Sequence, residues 1–221
     1  MTATIDIEQA RFNMIEQQIR PWDVLDPRVL DVIANIRREQ FVPEAHRAFA
    51  FSDINIPLGH DQVMMAPVVE GRLLQALDIR PQDSILEIGT GSGYLTACLA
   101  SLGQQVESVD LFEDFIRKAG QNLAAEGIEN AELKKGDAFE DWGDDRQFDV
   151  IAITGSLPEI PDTYKRRLAI GGRMFVIVGE PPIKEAVLVT RASQDNWSVE
   201  SLFETDIPPL IHGEAPTEFV F

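Results

Sequence analysis

The chain has 221 residues, 44% of them hydrophobic, which is enough to bury one sizeable core in one domain or a domain with an appendage. Its formal charge of −18 argues against a nucleic-acid partner, because binding to phosphates depends on clustered lysine and arginine. One cysteine, three scattered histidines and no long apolar stretch favour a cytoplasmic protein with no disulfide, metal cluster or membrane span.

The first 80 residues show helical spacing rather than strand alternation. Two apolar stripes predict helices, namely Phe12, Ile15 and Ile19, and then Val29, Leu30, Ile33 and Ile36. Pro21 ends the first helix, while Asp26 and Pro27 are a typical N-cap and first-turn proline for the second. After a loop-rich stretch, Pro67 predicts the start of a third helix. We expect residues 1–80 to form a helical cap and substrate-loop region packed on a core of residues 81–221.

Beyond residue 80 the pattern alternates between strand and helix. Apolar runs predict strands near residues 84–88, 106–109, 131–135, 148–154 and 174–178. Residues 186–190 and 198–203 resemble a closing antiparallel hairpin, and Leu168 is expected to end a short helix before Gly171 and Gly172. Phe112 and Phe115 are expected in the core. The predicted fold is α/β, a Rossmann-like doubly wound and mostly parallel seven-stranded sheet, with residues 148–154 at its centre.

A glycine-rich turn follows the first strand of this sheet. Gly89, Gly91 and Gly93 stand between an apolar run and a helix, where a doubly wound sheet binds its ligand. Glycine permits positive φ and close approach of a ligand to the backbone. A dinucleotide fingerprint needs a glycine at the sixth position from Gly89, and Tyr94 stands there instead. The turn therefore favours a different ligand.

Two further strand ends carry acids. Asp110 ends the second strand at the position where a carboxylate accepts hydrogen bonds from ribose hydroxyls, and Asp137 follows the third strand. The E-x-G-x-G-x-G pattern from Glu87 resembles motif I of class I S-adenosylmethionine-dependent methyltransferases. The resemblance implies S-adenosylmethionine as cofactor, S-adenosylhomocysteine as product and no metal. It implies these cofactor-binding residues: Glu87, Gly89, Thr90, Gly91, Ser92, Gly93, Asp110, Leu111, Asp137, Ala138 and Thr154.

Further motifs extend the resemblance to nearly the whole chain. They are N-M-I-E-Q-Q-I (residues 13–19), R-E-Q-F-V-P (38–43), I-P-L-G (56–59), E-I-P (159–161) and G-G-R-M-F-V (171–176). With the glycine turn, they make the chain similar to the protein-L-isoaspartate O-methyltransferase family. That resemblance implies methyl transfer to the isoaspartyl carboxylate of a damaged protein or peptide. A carboxylate nucleophile needs no general base, so the protein has to orient it.

One segment departs from the family pattern. The resemblance implies that a Gln-Thr-Ile-Ser segment orients the acceptor in this family. In this chain the aligned residues are Gln62, Val63, Met64 and Met65, so both hydroxyls are missing. These positions, Gln62, Val63 and Met65, are the candidate catalytic residues by resemblance. We expect weak or no isoaspartyl activity unless Gln62, His60 or a backbone N–H compensates. Drift in a substrate loop, a different acceptor such as a small molecule, and a silent cofactor-binding protein all remain open.

Overall fold

The computed structural model describes residues 6–139, 146–181 and 183–213. Within these residues the strands are β1 (Ile56–Gly59), β2 (Gln62–Met64), β3 (Ser84–Ile88), β4 (Gln105–Asp110), β5 (Ala131–Lys135), β6 (Phe148–Leu157), β7 (Leu168–Val178), β8 (Lys184–Ser193) and β9 (Asn196–Thr205). The α-helices are α1 (Ile7–Met14), α2 (Pro27–Asn35), α3 (Arg38–Phe41), α4 (Pro67–Leu77), α5 (Tyr94–Leu102), α6 (Glu113–Glu126) and α7 (Asp162–Arg166). A π-helical turn (Ile15–Ile19) and two 3₁₀ helices (Arg20–Trp22 and Glu44–Phe49) complete the N-terminal part.

A seven-stranded sheet with the order β5-β4-β3-β6-β7-β8-β9 organises the described chain. The five strands from β5 to β7 are parallel, and β8 runs antiparallel to both β7 and β9. This confirms the predicted doubly wound sheet, its closing hairpin and the central position of β6. Parallel strands bring the carboxyl ends of β3, β4, β5 and β6 to one edge, where the predicted ligand residues lie.

Both faces of the sheet are covered. Ile85 and Leu86 are adjacent in β3, yet they belong to separate hydrophobic clusters, because successive side chains point to opposite faces. The larger cluster joins the sheet to α4 and α5 and includes Ile19 and Ile33 from the N-terminal helices. Those helices therefore share a core with the sheet. The division into a cap and a core near residue 80 stays a prediction.

The structure corrects four local expectations. Phe12 is 57% exposed, so the first helix does not bury that position. Leu168 begins β7 instead of ending a helix, since α7 stops at Arg166. Gly171 and Gly172 lie inside β7, where the pairing with β6 shifts register, so here glycine marks a bulge and not a break between elements. The hairpin of β1 and β2 was expected as loop.

Candidate functional site

The glycine turn between β3 and α5 packs closely against its neighbours. Gly89 has φ of 96°, and a Cβ there would lie 2.2 Å from the side-chain oxygen of Thr154 at the end of β6. Gly93 has φ of 84°, and a Cβ there would lie 2.9 Å from the Cβ of Ala119 in α6. A larger side chain at either position would be strained and would push neighbouring elements apart. The turn therefore keeps its bare backbone facing the strand ends.

Asp110 at the end of β4 holds this turn in place. Its carboxylate accepts hydrogen bonds from the backbone N–H of Gly91 at 2.8 Å and of Phe112 at 3.0 Å. The side chain is buried, and burial raises the pKa of Asp110 although both backbone donors lower it. Asp110 also lines the cleft described below, so its carboxylate can both order the turn and accept ligand hydroxyls.

Glu87 lies behind the turn, away from the cleft surface. It is fully buried and accepts hydrogen bonds from the hydroxyls of Thr96 and Ser108, and Ser108 in turn bonds Thr90 at 2.6 Å. Its Oε1 has no hydrogen-bond partner among the described residues. Burial raises the pKa of Glu87 to about 8, so at neutral pH the group is largely protonated. Its predicted direct contact with the cofactor stays a prediction, while the structure shows a supporting network.

A cleft of about 600 Å³, partly open to solvent, lies at this edge of the sheet. Its walls include these residues that the sequence predicts for the site: Gln62, Val63, Gly89, Gly91, Asp110, Leu111, Asp137, Ala138 and Thr154. Phe115 is buried, as expected, whereas Phe112 is only half-buried, and both line the cleft. The His60 ring stacks on Phe112 with 3.8 Å between ring centroids and contacts the Asp114 carboxylate at 3.2 Å. Helical spacing alone does not distinguish a core aromatic from one at a cleft.

The segment of residues 207–213, which we call the strap, forms another wall that the sequence did not indicate. Two backbone hydrogen bonds of 3.0 Å join the strap to Ser156 of β6. The Ser156 N–H donates to the carbonyl of Pro208, and the Leu210 N–H donates to the carbonyl of Ser156. Leu210 lines the cleft, and His212 contacts the carboxylate of Asp137. The methyltransferase resemblance implies that Asp137 lies beside the adenine amino group of the cofactor, so the strap is expected at the adenine end of the cleft. Only the pair Pro208 and Pro209 hinted at an extended segment here.

A second, smaller space of about 290 Å³, also partly open to solvent and here called the side cavity, adjoins the cleft. The two share Leu58, Val63, Gly89, Gly91 and Thr154 as wall residues. Six further residues line the side cavity but not the cleft: Met64, Met65, Glu70, Thr90, Ser92 and Leu95. The structure thus places Val63 and Met65 together beside the glycine turn, while Gln62 faces the cleft. Gly93 lines neither space.

Beneath the side cavity lies a buried contact between Arg38 and Glu70 that sequence reasoning missed. Arg38 is fully buried and donates to Glu70, to the carbonyl of Met65 at 2.8 Å and to the carbonyl of Ala50 at 2.9 Å. Its guanidinium also lies 4.7 Å from the centroid of the Tyr94 ring. Burial raises the pKa of Glu70 to about 7, although the charge and hydrogen bond of Arg38 lower it. The pair joins α3 and α4 to the segment that carries Met65.

A parallel sheet with a glycine turn after its first strand, an acid after its second and a cleft at their common edge is the arrangement of a class I methyltransferase. A statistical model of the protein-L-isoaspartate(D-aspartate) O-methyltransferase family matches residues 9–215. The chain belongs to this family, which confirms the resemblance found in the sequence.

Two curated relatives illustrate the match. Protein-L-isoaspartate O-methyltransferase 1 of Rhodopseudomonas palustris (strain HaA2) is 35% identical over 205 residues, covering 92% of this chain and 84% of the relative. Protein-L-isoaspartate O-methyltransferase of Syntrophus aciditrophicus (strain SB) is 37% identical over 188 residues, covering 85% and 86%.

Solved structures show the same fold. A Plasmodium falciparum structure described as a protein-L-isoaspartate O-methyltransferase in complex with S-adenosyl-L-homocysteine has a TM-score of 0.79 and 18% identity, covering 92% of this chain and 97% of that one. A second structure with the same enzyme name has a TM-score of 0.77 and 21% identity, covering 92% and 65%. These likenesses confirm the predicted architecture.

The residues of the cleft fit the cofactor of this family. The bare backbone at Gly89 leaves room that a Cβ would fill, and Asp110 offers a buried carboxylate for ribose hydroxyls. Val109, Leu111 and Phe112 supply apolar surface for a planar base. Among the described residues no group of three metal-ligating side chains occurs, and no helix is long and apolar enough to cross a membrane.

Proposed function

We propose that this protein transfers the methyl group of S-adenosylmethionine to the carboxylate of an isoaspartyl residue in a protein or peptide. The observation that carries the proposal is the junction of the cleft with the side cavity at Gly89, Gly91 and Thr154. A cofactor in the cleft and an acceptor in the side cavity would meet at the glycine turn. Family membership supports the same reaction.

The bound cofactor supplies a sulfonium methyl group, which an ionised oxygen attacks in line. The chain has to hold the two partners in that geometry. Asp110 fixes the turn through Gly91 and orients the ribose, while Leu58 and Leu95 give the side cavity apolar walls that limit water. Two reactants held at a distance of about 3–3.5 Å with aligned orbitals gain most of the rate available from positioning.

A second candidate function is methylation of a different acceptor. The observation that favours it is the wall of the side cavity, where Val63 and Met65 offer no hydroxyl to a carboxylate. An anion that leaves water must recover its hydrogen bonds from the protein. A neutral or apolar acceptor would lose less on entering this cavity. This candidate keeps the same cofactor site.

Radiolabelled S-adenosylmethionine separates the two candidates. The purified protein is incubated with an isoaspartyl peptide, with the same peptide carrying normal aspartate, and with a cell extract. Label on the isoaspartyl peptide alone supports the first candidate. Label only in the extract supports the second, and cofactor binding without label anywhere contradicts both.

The partner and location follow from the same account. The acceptor is a protein or peptide, or a small molecule under the second candidate, and the net charge of −18 disfavours nucleic acid. A cytoplasmic location agrees with the single cysteine, Cys98, which is buried and free.

A further inference from the structure

The side cavity contains one acid that no motif assigns. Glu70 lies in α4, is 3% exposed, and shares the cavity wall with Val63 and Met65. Both hydroxyls expected from the family resemblance are absent from this wall. Of the wall hydroxyls that remain, Thr90 bonds Ser108 and Thr154 donates to the carbonyls of Ile88 and Gly89, while Ser92 accepts the backbone N–H of Tyr94 and keeps its own O–H. Glu70 is therefore, with Ser92, one of two polar side chains of this wall with capacity to spare, and it is the one joined through Arg38 to the Met65 carbonyl.

The hydrogen bonds of Glu70 are one-sided. Arg38 donates to its Oε2, and no described residue donates to its Oε1. Arg38 itself is committed to two backbone carbonyls, those of Ala50 and Met65, and to the face of Tyr94. Arg38 thus anchors one oxygen of Glu70 and leaves the other available to a molecule in the cavity.

We propose that Glu70 in its protonated form donates a hydrogen bond from Oε1 to the acceptor carboxylate and so replaces the missing hydroxyls. This inference rests on the proposed isoaspartyl function. One oxygen of the acceptor receives this hydrogen bond, and the other oxygen attacks the methyl group. The C–O bond forms as the S–CH₃ bond breaks, its electrons pass to sulfur, and the proton stays on Glu70.

The proton belongs on Glu70 for two reasons. Burial raises the pKa of Glu70 to about 7, whereas an ordinary side-chain carboxyl has a pKa of about 4, so the shared proton prefers Glu70 and the acceptor stays ionised. An arriving carboxylate raises the pKa of Glu70 further by like-charge repulsion. Two carboxyl groups that share one site keep one proton between them.

Other charged and titratable groups around Glu70 act on its proton as well. They are Arg38 in α3, Asp53 before β1, Glu87 in β3, and Tyr94 and Cys98 in α5. Burial holds the pKa values of Tyr94 and Cys98 above their usual ranges, so both stay neutral near pH 7. Glu87 is the group whose titration overlaps, with a pKa of about 8. A test has to separate Glu70 from Glu87.

The first arm of the test is the pH profile of kcat/KM for methylation of an isoaspartyl peptide between pH 5.5 and 9. We expect the unmodified protein to lose about tenfold per pH unit above the pKa of Glu70 in the enzyme before the peptide binds, because kcat/KM reports that state. Glu70→Gln keeps a donor of the same shape, so it should retain activity within about fivefold at pH 6.5 with a flat profile above it. Glu70→Leu should lose at least tenfold at pH 6.5, and its difference from the unmodified protein should shrink as the pH rises and Glu70 ionises.

Glu39→Gln is the matched control. Glu39 is buried and paired with Arg11, as Glu70 is with Arg38, but it lines neither the cleft nor the side cavity. Its profile should match that of the unmodified protein. Melting curves and S-adenosylhomocysteine titrations establish that each variant is folded with an intact cofactor site.

The second arm measures binding without turnover. Calorimetry of the isoaspartyl peptide against the protein saturated with S-adenosylhomocysteine, in two buffers of different ionisation enthalpy, counts protons taken up. We expect uptake of up to one proton at pH 8 in the unmodified protein and none in Glu70→Gln. A peptide that binds without proton uptake, an inactive Glu70→Gln, or a pH profile that persists in that variant overturns the inference. No binding and no methylation of the peptide at any pH, with S-adenosylhomocysteine still bound, refutes the proposed isoaspartyl function itself.

Discussion

Replacing Asp110 by alanine tests the cofactor cleft at its main polar contact. The carboxylate of Asp110 accepts the backbone N–H groups of Gly91 and Phe112, and its place at the end of β4 is that of a ribose acceptor. A hydrogen bond to a charged acceptor contributes about 1.5–3 kcal/mol. With about 1.4 kcal/mol for each tenfold change, the Kd for S-adenosylhomocysteine should rise about 10- to 150-fold. Loosening of the turn at Gly91 adds to this loss.

The assay is calorimetric titration with S-adenosylhomocysteine at pH 7.5. Asp26→Ala is the matched control, because Asp26 also accepts a backbone N–H, that of Arg28, but at the start of α2 and outside the cleft. It should lower the melting temperature through loss of a helix cap and leave the Kd unchanged. A Kd for Asp110→Ala within threefold of the unmodified value, in a folded protein, would refute the ribose assignment.

Three further changes probe the site. Val63→Thr with Met65→Ser restores the missing hydroxyls, and turnover of an isoaspartyl peptide should rise at least tenfold at pH 8.5, where Glu70 is least protonated. Gly89→Ala places a Cβ against Thr154 at positive φ, and titration should show at least tenfold weaker S-adenosylhomocysteine binding. Glu87→Gln removes a group whose pKa is raised in the folded state. As the pH rises from 6 to 9, the melting temperature of this variant should therefore fall less than that of the unmodified protein.

The sign of the Glu87 effect follows from linkage. Folding raises the pKa of this carboxyl from 4.5 to about 8, so the folded state holds the proton more tightly. The resulting stability is complete below pH 4.5 and is lost as the pH rises through about 8. If the melting temperatures of Glu87→Gln and of the unmodified protein fall equally as the pH rises across this range, the raised pKa of Glu87 is contradicted. Unchanged turnover in Val63→Thr with Met65→Ser would contradict the role given to the missing hydroxyls. Unchanged affinity in Gly89→Ala would contradict the role given to the glycine turn in cofactor binding.

Local sequence pattern was sufficient for the parts of the site that lie on consecutive residues. The alternation of apolar runs and helical stripes predicted the sheet, and the spacing of Gly89, Gly91 and Gly93 predicted the turn. The position of Asp110 at the site could be predicted because parallel strands end at a common edge of the sheet. Each of these inferences needs only the periodicity of one element and the topology of one fold class.

The remaining features depend on pairs that are distant in sequence. Arg38 and Glu70 are 32 residues apart, and Asp137 and His212 are 75 apart. Neither pair leaves a periodic signal, since each forms only when the N-terminal helices or the strap pack onto the sheet. Phe112 shows the same difficulty locally, because a helix stripe looks alike whether it faces a core or a cleft. The position of Glu70 bears directly on the expected weakness of isoaspartyl activity, since it offers a donor that the motif comparison lacked.

The most direct measurement is methyl transfer from radiolabelled S-adenosylmethionine to a pair of peptides that differ only in carrying isoaspartate or aspartate at one position. The account predicts label on the isoaspartyl peptide, in an ester that mild base hydrolyses, and none on its partner. Equal labelling of both peptides, or none on either while S-adenosylhomocysteine binds the cleft, would contradict it.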